Sequence, residues 1–519
     1  MSLTLRRWAP VLFFSLAPFG WFYASNLHEP IRLGDLFAYA LATALGTCAL
    51  TGLSEVLFRT RSYRVSSIVA AATLLFFSYG SLTESAVPAG LSKDTELVVY
   101  AIFCLALLAV TTRWGARPSF HLFLTAFAAA NLAVALSIGV ARSANSLESP
   151  EVLALPIPAE DVWSGTALRR PNIYWIVVDS YPNRRELLDY YGFDNAPFIE
   201  SLVRRGFNVT DESYANFSTT LLSIPSTLDM AYVFDEEDPV YEINRNGAWQ
   251  RLPGKTHRGV NAAISGDNRT VSLLRQQGYA YVHFSGGTFL ITRCQGREDV
   301  CLEATPATFS DLQYRLLSLT PLWDLLARSP TLRKTLHPRR QAASGTGIVE
   351  LESQLGASQL PQPFFLYAHI ASPHRPYAND ALCNLLPLDF DRRGNRHFLA
   401  QLSCVNRHLE QLLDSIQNRD PEAIIWLSSD HGPRLSIRKG SSIFSLSKKQ
   451  VRESLGVLQA FRLPPDCQDS IPKNITPING MRLIFACLSK EEPRWLPDRH
   501  YISRPDAPER GRIRRVQLD

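Results

Sequence analysis

The chain has 519 residues, 46% of them hydrophobic and 19% charged, which is too long for one ordinary domain. Its modest overall hydropathy averages an apolar first part with a conventional soluble remainder, and the composition changes near residue 143. A formal net charge of +5 is small for this length and gives no reason to expect a nucleic-acid partner, and no internal repeat is evident.

Five segments before residue 143 are long enough to cross a bilayer: 9–27, 33–58, 65–83, 96–112 and 119–141. A signal peptide would account for the first alone. Arg6 and Arg7 precede the first segment, Arg59, Arg61 and Arg64 fill the second loop, and Arg113 and Arg117 the fourth. The first and third loops carry only Arg32 and Lys93. This asymmetry predicts a multi-pass protein of the cell inner (cytoplasmic) membrane with a cytoplasmic N-terminus, and places everything beyond residue 142 on the periplasmic or extracellular side. Cys48 and Cys104 fall in the spans, whereas Cys294, Cys301, Cys383, Cys404, Cys467 and Cys487 fall outside. An even number in an exported domain fits up to three disulfides, Cys294 with Cys301 being the nearest local pair. No Cys-x-x-Cys pair supports a zinc finger.

Residues 143–170, rich in Ser, Pro, Ala and Glu, read as a linker leading off the membrane. From 171 to about 487, strand-like runs alternate with helical patterns, the rhythm of an α/β domain with a mostly parallel central sheet. The strands expected are 172–178, 279–284, 363–369 and 423–429, and the helices 195–205, 220–229, 271–277, 398–416 and 478–487. The stretch 305–360 is helical in character but loosely patterned. The expected organisation is thus a transmembrane domain over 1–142, a linker over 143–170, a catalytic domain over 171–490 and a tail over 491–519. Within that tail, Arg504 to Asp519 reads as a solvated stretch with Arg510, Arg512, Arg514 and Arg515.

Two of the expected strands carry the chemistry. Asn172-Ile-Tyr-Trp-Ile-Val-Val ends on Asp179, and Ile424-Ile-Trp-Leu-Ser-Ser ends on Asp430-His431-Gly432. Ligands of open parallel sheets bind just beyond the carboxyl ends of the strands, so adjacent strands would bring Asp179, Asp430 and His431 to one rim. Two carboxylates and an imidazole suit a divalent metal. Between them, polar residues run up to Thr220 and an apolar helical pattern follows, which reads as a helix start. By itself Thr220 is more readily a capping residue than a nucleophile. A hydroxyl at a helix N-terminus beside a metal is, however, activated for attack. A fourth stretch, Pro363-Phe-Phe-Leu-Tyr-Ala-His369-Ile-Ala-Ser-Pro-His374-Arg-Pro376-Tyr377, runs from a strand into a loop. His374 there can stabilise developing charge or protonate a leaving oxygen. His369 and His283 lie inside apolar strands and read as satisfied core residues.

The order of these elements resembles the alkaline phosphatase superfamily: Asp179 after its strand, Asn-Ala-Pro-Phe-Ile-Glu-Ser-Leu at 195–202, Gly206-Phe207, Ser213-Tyr-Ala-Asn216, Thr220-x-x-Ser223, His374-x-Pro376 and Asp430-His431-Gly432. With spans preceding an exported domain, the chain is similar to lipoteichoic acid synthases and lipid A phosphoethanolamine transferases. The resemblance implies that Asp179, Thr220, Asp430 and His431 hold zinc or manganese, that Thr220 is the nucleophile and that His374 contacts substrate. It implies a phospho-alcohol group, of phosphoethanolamine or phosphoglycerol type, passing from a membrane phospholipid to an envelope glycan or lipid-linked saccharide through a phospho-threonine.

Several residues depart from that pattern. Those transferases begin with glutamate where this chain has Asp179, flank the nucleophile with cysteines, and carry a further histidine where Ile443 stands here. A formylglycine sulfatase needs Cys or Ser ahead of x-Pro-x-Arg, whereas Thr220-Leu-Leu-Ser-Ile stands at that place and Ser223-Ile-Pro-Ser-Thr227 lacks the arginine. A hydrolase of phosphate or sulfate esters is the alternative on the same fold, and an inactive envelope scaffold a third reading.

Overall fold

The computed structural model describes residues 3–25, 33–59, 62–86, 93–147, 162–163, 165–232, 263–286, 292–304, 311–326, 329, 346–375, 377–386, 395–438, 440–504 and 513–518. Residues 148–161 of the expected linker, Pro376, Arg510 and Arg512 lie outside these. The chain forms two compact units, one of residues 1–149 with 309–335, the other of 150–308 with 336–519.

The first unit begins with five helices: α1 (Leu3–Ser25), α2 (Leu33–Leu57), α3 (Tyr63–Ala86), α4 (Lys93–Trp114) and α5 (Pro118–Leu147). Among the described residues, four stretches are long and apolar enough to cross a membrane: Leu36–Leu57, Tyr63–Thr83, Thr95–Trp114 and Pro118–Val140. The expectation of five spans is corrected here, because the segment at 9–27 is not among them. Pro10, Pro18, Trp21 and Tyr23 dilute its apolar side chains. Instead α1 packs against α2, α3 and α5, burying Val11, Phe14, Ala17, Phe19 and Phe22. Polar contacts join it to α2, with Arg7 3.3 Å from Glu55 and the Ser15 and Thr47 hydroxyls 2.7 Å apart.

Beyond the bundle lie α6 (Arg184–Tyr191), α7 (Ala196–Arg204), α8 (Thr220–Asp229), α9 (Arg269–Gln276), α10 (Asp311–Ser318) and α11 (Leu322–Leu326). They are followed by α12 (Thr346–Ala357), α13 (Asn395–Arg419), α14 (Lys448–Leu455), α15 (Pro465–Gln468) and α16 (Pro477–Ser489). The strands are β1 (Ile173–Val178), β2 (Asn208–Thr210), β3 (Ala280–Ser285), β4 (Val300–Glu303), β5 (Phe364–Ile370), β6 (Ile424–Ser428), β7 (Gln459–Arg462), β8 (His500–Ser503) and β9 (Ile513–Val516).

Seven strands make one sheet in the order β2-β7-β6-β1-β5-β3-β4, with only β7 running against the rest. The four longest strands are those expected from sequence, and each is mostly apolar and buried along its length because both its faces are covered. Side chains alternate between two cores. Tyr174, Ile176 and Val178 of β1 meet α7, α12 and α13 through residues such as Leu202, Leu351, Leu402, Val405 and Leu409. Ile173, Trp175 and Val177 meet the opposite layer, with Ile224 and Leu228 of α8, Leu274 of α9 and Met481 and Ile484 of α16. Trp175 and Trp426 stack there with ring centres 4.7 Å apart. Helix α16 lies so close that a Cβ at Gly480 would fall into the Trp426 ring.

Three disulfides close the loops: Cys294–Cys301, Cys383–Cys404 and Cys467–Cys487. Cys48 and Cys104 are free. The C-terminal stretch read as solvated differs from that expectation. Strands β8 and β9 pair antiparallel and bury Tyr501, Ile502 and Ile513, so this stretch is stapled to the domain by apolar side chains spaced among its arginines.

Candidate active site

Because β1 lies between β6 and β5, the residues that follow β1 and β6 share one rim. Asp179 is held there by its own N–H, which donates to the Ile370 carbonyl at 2.9 Å. Ser180 turns the chain sharply with a left-handed backbone (φ 64°). Its N–H donates to Asp430 at 3.3 Å and its hydroxyl to Asp179 at 2.8 Å. Next to Asp430 and His431, Gly432 donates its N–H to the Ser454 carbonyl at 2.9 Å, and a Cβ at this glycine would collide with the Glu453 carbonyl. Only glycine allows that approach.

Thr220 is the first residue of α8 and Thr219 its N-cap. The Thr220 hydroxyl donates to Asp430 Oδ2 at 2.6 Å and lies 3.3 Å from His431 Nε2. It therefore does not act as a cap. Thr219 points elsewhere, its hydroxyl 3.1 Å from that of Ser503. Ser223, one turn on, donates to the Asp430 carbonyl at 2.7 Å, which fixes helix and turn to each other. The approach to Thr220 is pinned by β8: the Ser218 N–H donates to the Tyr501 carbonyl at 3.1 Å and the Tyr501 N–H to that of Asn216 at 2.8 Å.

Asp179, Asp430 and His431 each present an atom within 4.8 Å of the others, and all three are buried. His431 Nε2 lies 3.7 Å from Asp179 Oδ1 and 3.5 Å from Asp430 Oδ2. Its Nδ1 is 2.9 Å from the Gly432 carbonyl, which places the proton on Nδ1 and turns the Nε2 lone pair toward the carboxylates. Burial and the adjacent Asp430 push the Asp179 carboxyl well above its ordinary value. Burial also raises Asp430, but the charges of His431 and His369 and the Thr220 hydroxyl outweigh it and hold this carboxyl below its ordinary value. Two buried carboxylates at this spacing share one negative charge unless a cation joins them.

Sequence reasoning missed two neighbours. His369 was expected to be a satisfied core residue. Its Nδ1 does meet the Tyr367 hydroxyl at 3.0 Å, but its buried Nε2 has no hydrogen-bond partner and sits 3.9 Å from Asp179 and 3.8 Å from Asp430. His283 is likewise unsatisfied, both ring nitrogens lacking a hydrogen bond, with Glu298 3.5 Å away. Arg434, in a left-handed turn (φ 57°), is the second omission, and its charge acts on Asp179, His374 and His431 alike. Position two residues beyond Asp-His-Gly was its only sequence signal.

His374 stands beside the three-residue cluster and not within it. It is half-buried, its Nδ1 lies 2.7 Å from the Arg375 carbonyl, and burial together with Arg434 pushes it down to about 4. At neutral pH the ring is uncharged.

Residues 171–454, more than half of the chain, match the sulfatase family. The chain belongs to the sulfatase family of the alkaline phosphatase superfamily. No curated protein matches it. Among solved structures, similarity extends to the zinc complex of the C-terminal periplasmic domain of EptC from Escherichia coli, at 10% identity and a TM-score of 0.42 over 69% of this chain and 95% of that one. The lipooligosaccharide phosphoethanolamine transferase A of Neisseria meningitidis is similar at 13% identity and 0.41, over 94% of this chain and 96% of that one. An alkaline phosphatase superfamily protein from Vibrio parahaemolyticus is similar at 12% identity and 0.39, over 70% and 81%. Membership implies a divalent metal, and the donors at this sulfatase-family rim fit one: two carboxylates, a lone pair on His431, the Thr220 hydroxyl and the orphaned His369 nitrogen.

Proposed function

We propose that this protein is a membrane-anchored phosphotransferase that moves a phospho-alcohol group, of phosphoethanolamine or phosphoglycerol type, from a phospholipid to an envelope glycan or lipid-linked saccharide outside the cytoplasm. The observation that carries the reading is the Thr220 hydroxyl at the head of α8, donating to Asp430 at 2.6 Å among two carboxylates and a histidine. Four apolar helices long enough to span a bilayer support a donor drawn from lipid. The basic loops 58–64 and 113–117 on one side support an extracytoplasmic site whether or not α1 crosses.

Asp179, Asp430, His431 and Thr220 would hold zinc or manganese, whose Lewis acidity makes a threonine oxygen nucleophilic at neutral pH and offsets phosphoryl charge. Asp430 orients the Thr220 hydroxyl and accepts its hydrogen bond. As the Thr220 oxygen bonds to phosphorus it gives its proton to Asp430, and the bond to the diacylglycerol oxygen breaks, leaving the phospho-alcohol group esterified to Thr220, and diacylglycerol. Arg434 offers fixed positive charge to the non-bridging oxygens. The phosphoryl anion raises the proton affinity of His374, which takes a proton from water and passes it to the departing oxygen. In the second half the acceptor hydroxyl attacks phosphorus, the Thr220–phosphorus bond breaks, and the hydroxyl is restored.

Family membership also favours a second reading, ester hydrolysis with water as acceptor. The two are separated by acid-quenching the full-length protein with a labelled phospholipid and analysing peptides by mass spectrometry. A phospho-alcohol adduct on Thr220 that is discharged by a saccharide acceptor is the expected result. Turnover with no adduct on this residue would remove the covalent mechanism.

A further inference from the structure

The chain leaves the sulfatase-like unit after residue 308 and returns at 336, and the stretch between belongs to the membrane unit. Helix α10 buries Leu312 and Leu316, one turn apart, against Phe19, Phe22, Leu36 and Ala40. The turn after it lies on α3: the Gly80 N–H donates to the Leu319 carbonyl at 3.1 Å, and a Cβ at Gly80 would press on the Ser318 carbonyl at 2.7 Å. From α11, Asp324 accepts a hydrogen bond from the Tyr79 hydroxyl. Tyr79 and Gly80 sit within a turn of Thr83, where the span Tyr63–Thr83 ends, at the opposite end of α3 from Arg59, Arg61 and Arg64.

We infer that the α10–α11 hairpin is a foot set into the extracytoplasmic leaflet, and that the face of α11 carrying Leu322 and Leu325 is covered by lipid. These two leucines, three residues apart and so on one face, remain 40% and 47% exposed. Tyr23 and Tyr39 pack against the same apolar cluster, and Tyr79 meets Tyr100 edge-on with ring centres 4.9 Å apart. Such a ring of tyrosines marks headgroup depth. The sequence 309–335 adds Arg315, Arg328, Arg333 and Lys334 against Asp311 and Asp324, a balance suited to lipid phosphates. Exposed leucines in a segment of net basic sequence are the composition of an interfacial stretch. The inference concerns lipid contact and stands apart from the chemistry at Thr220.

The test uses full-length protein with Cys48 and Cys104 replaced by alanine, reconstituted in vesicles of phosphatidylethanolamine and phosphatidylglycerol. A single cysteine bearing a fluorophore is placed at Leu322, at Leu325, or at Leu382, an exposed leucine of the sulfatase-like unit. The expected result is quenching by nitroxide-bearing lipids several-fold stronger at Leu322 and Leu325 than at Leu382, with iodide quenching strong only at Leu382. Iodide quenching at Leu322 and Leu325 equal to that at Leu382 would mean a solvated face and overturn the proposal. Protection from both quenchers would mean that protein covers the face and would overturn it equally.

Discussion

Replacing Thr220 by alanine separates a structural hydroxyl from a reacting one. The side chain makes one hydrogen bond of 2.6 Å to the buried Asp430 carboxylate, and a bond of that kind contributes about 1.5–3 kcal/mol. Alanine is favourable inside a helix, and Thr219 retains the N-cap position, so the net loss of stability should fall at or below the lower end of that range. Loss of a covalent nucleophile instead costs roughly 10⁴- to 10⁶-fold in turnover. The full-length protein in detergent is assayed for release of diacylglycerol from a phospholipid donor and, separately, for resistance of the folded domain to urea. Thr220→Ala should unfold at nearly the wild-type urea concentration with no measurable turnover. Thr220→Ser, which keeps the oxygen and loses one methyl, should retain activity. Thr219→Ala, whose partner is Ser503, should remain active. Turnover of Thr220→Ala comparable with wild type, or loss confined to Thr219→Ala, would refute this assignment.

Asp430→Ala and His431→Ala should each abolish binding of a divalent ion, read as about one zinc or manganese per chain in the wild type by elemental analysis. Unchanged metal content in both variants would move the site elsewhere. The chelated protein should lose stability as pH rises. Asp179 is raised in the folded state, so the folded chain holds a proton that the unfolded chain has released between the ordinary aspartate value and the raised one. Urea unfolding at pH 7 and pH 8 checks this, a window above the one in which the lowered His374 and His431 add stability as pH rises, and restoring metal should remove the slope, because a dication favours the ionised carboxylate. Reporter fusions after residue 142 should be active only with reporters that work outside the cytoplasm, and a cytoplasmic signal would overturn the orientation read from the arginines.

Much of the site was legible because its parts follow elements with strong local signals. Apolar runs such as Ile173–Val178 and 424–427 report strands covered on both faces, and the acidic residue that follows each reports the rim. Thr220 was legible as a helix start, and Gly432 as a tight turn. The short strands β2, β4 and β7 were not, because three or four residues of mixed polarity carry no clear period.

Sequence by itself determined the apolar N-terminal stretch, the α/β rhythm, the even set of six cysteines beyond residue 143 and the candidates Asp179, Thr220, Asp430 and His431. Each of these is written in composition or in period along one segment. Tertiary structure alone decided what faces what. His369 stands opposite Val177 in the β1–β5 register, two residues before Asp179, so its unpartnered nitrogen reaches the carboxylates although its neighbours in sequence are all apolar. Leu312 and Leu316 belong with the membrane helices although they lie far along the sequence from them, and Ser503 braces the segment leading into Thr220 from the far end of the chain. Periodicity reports that a side chain is buried; only the order of strands and the return of the chain decide which group it is buried against.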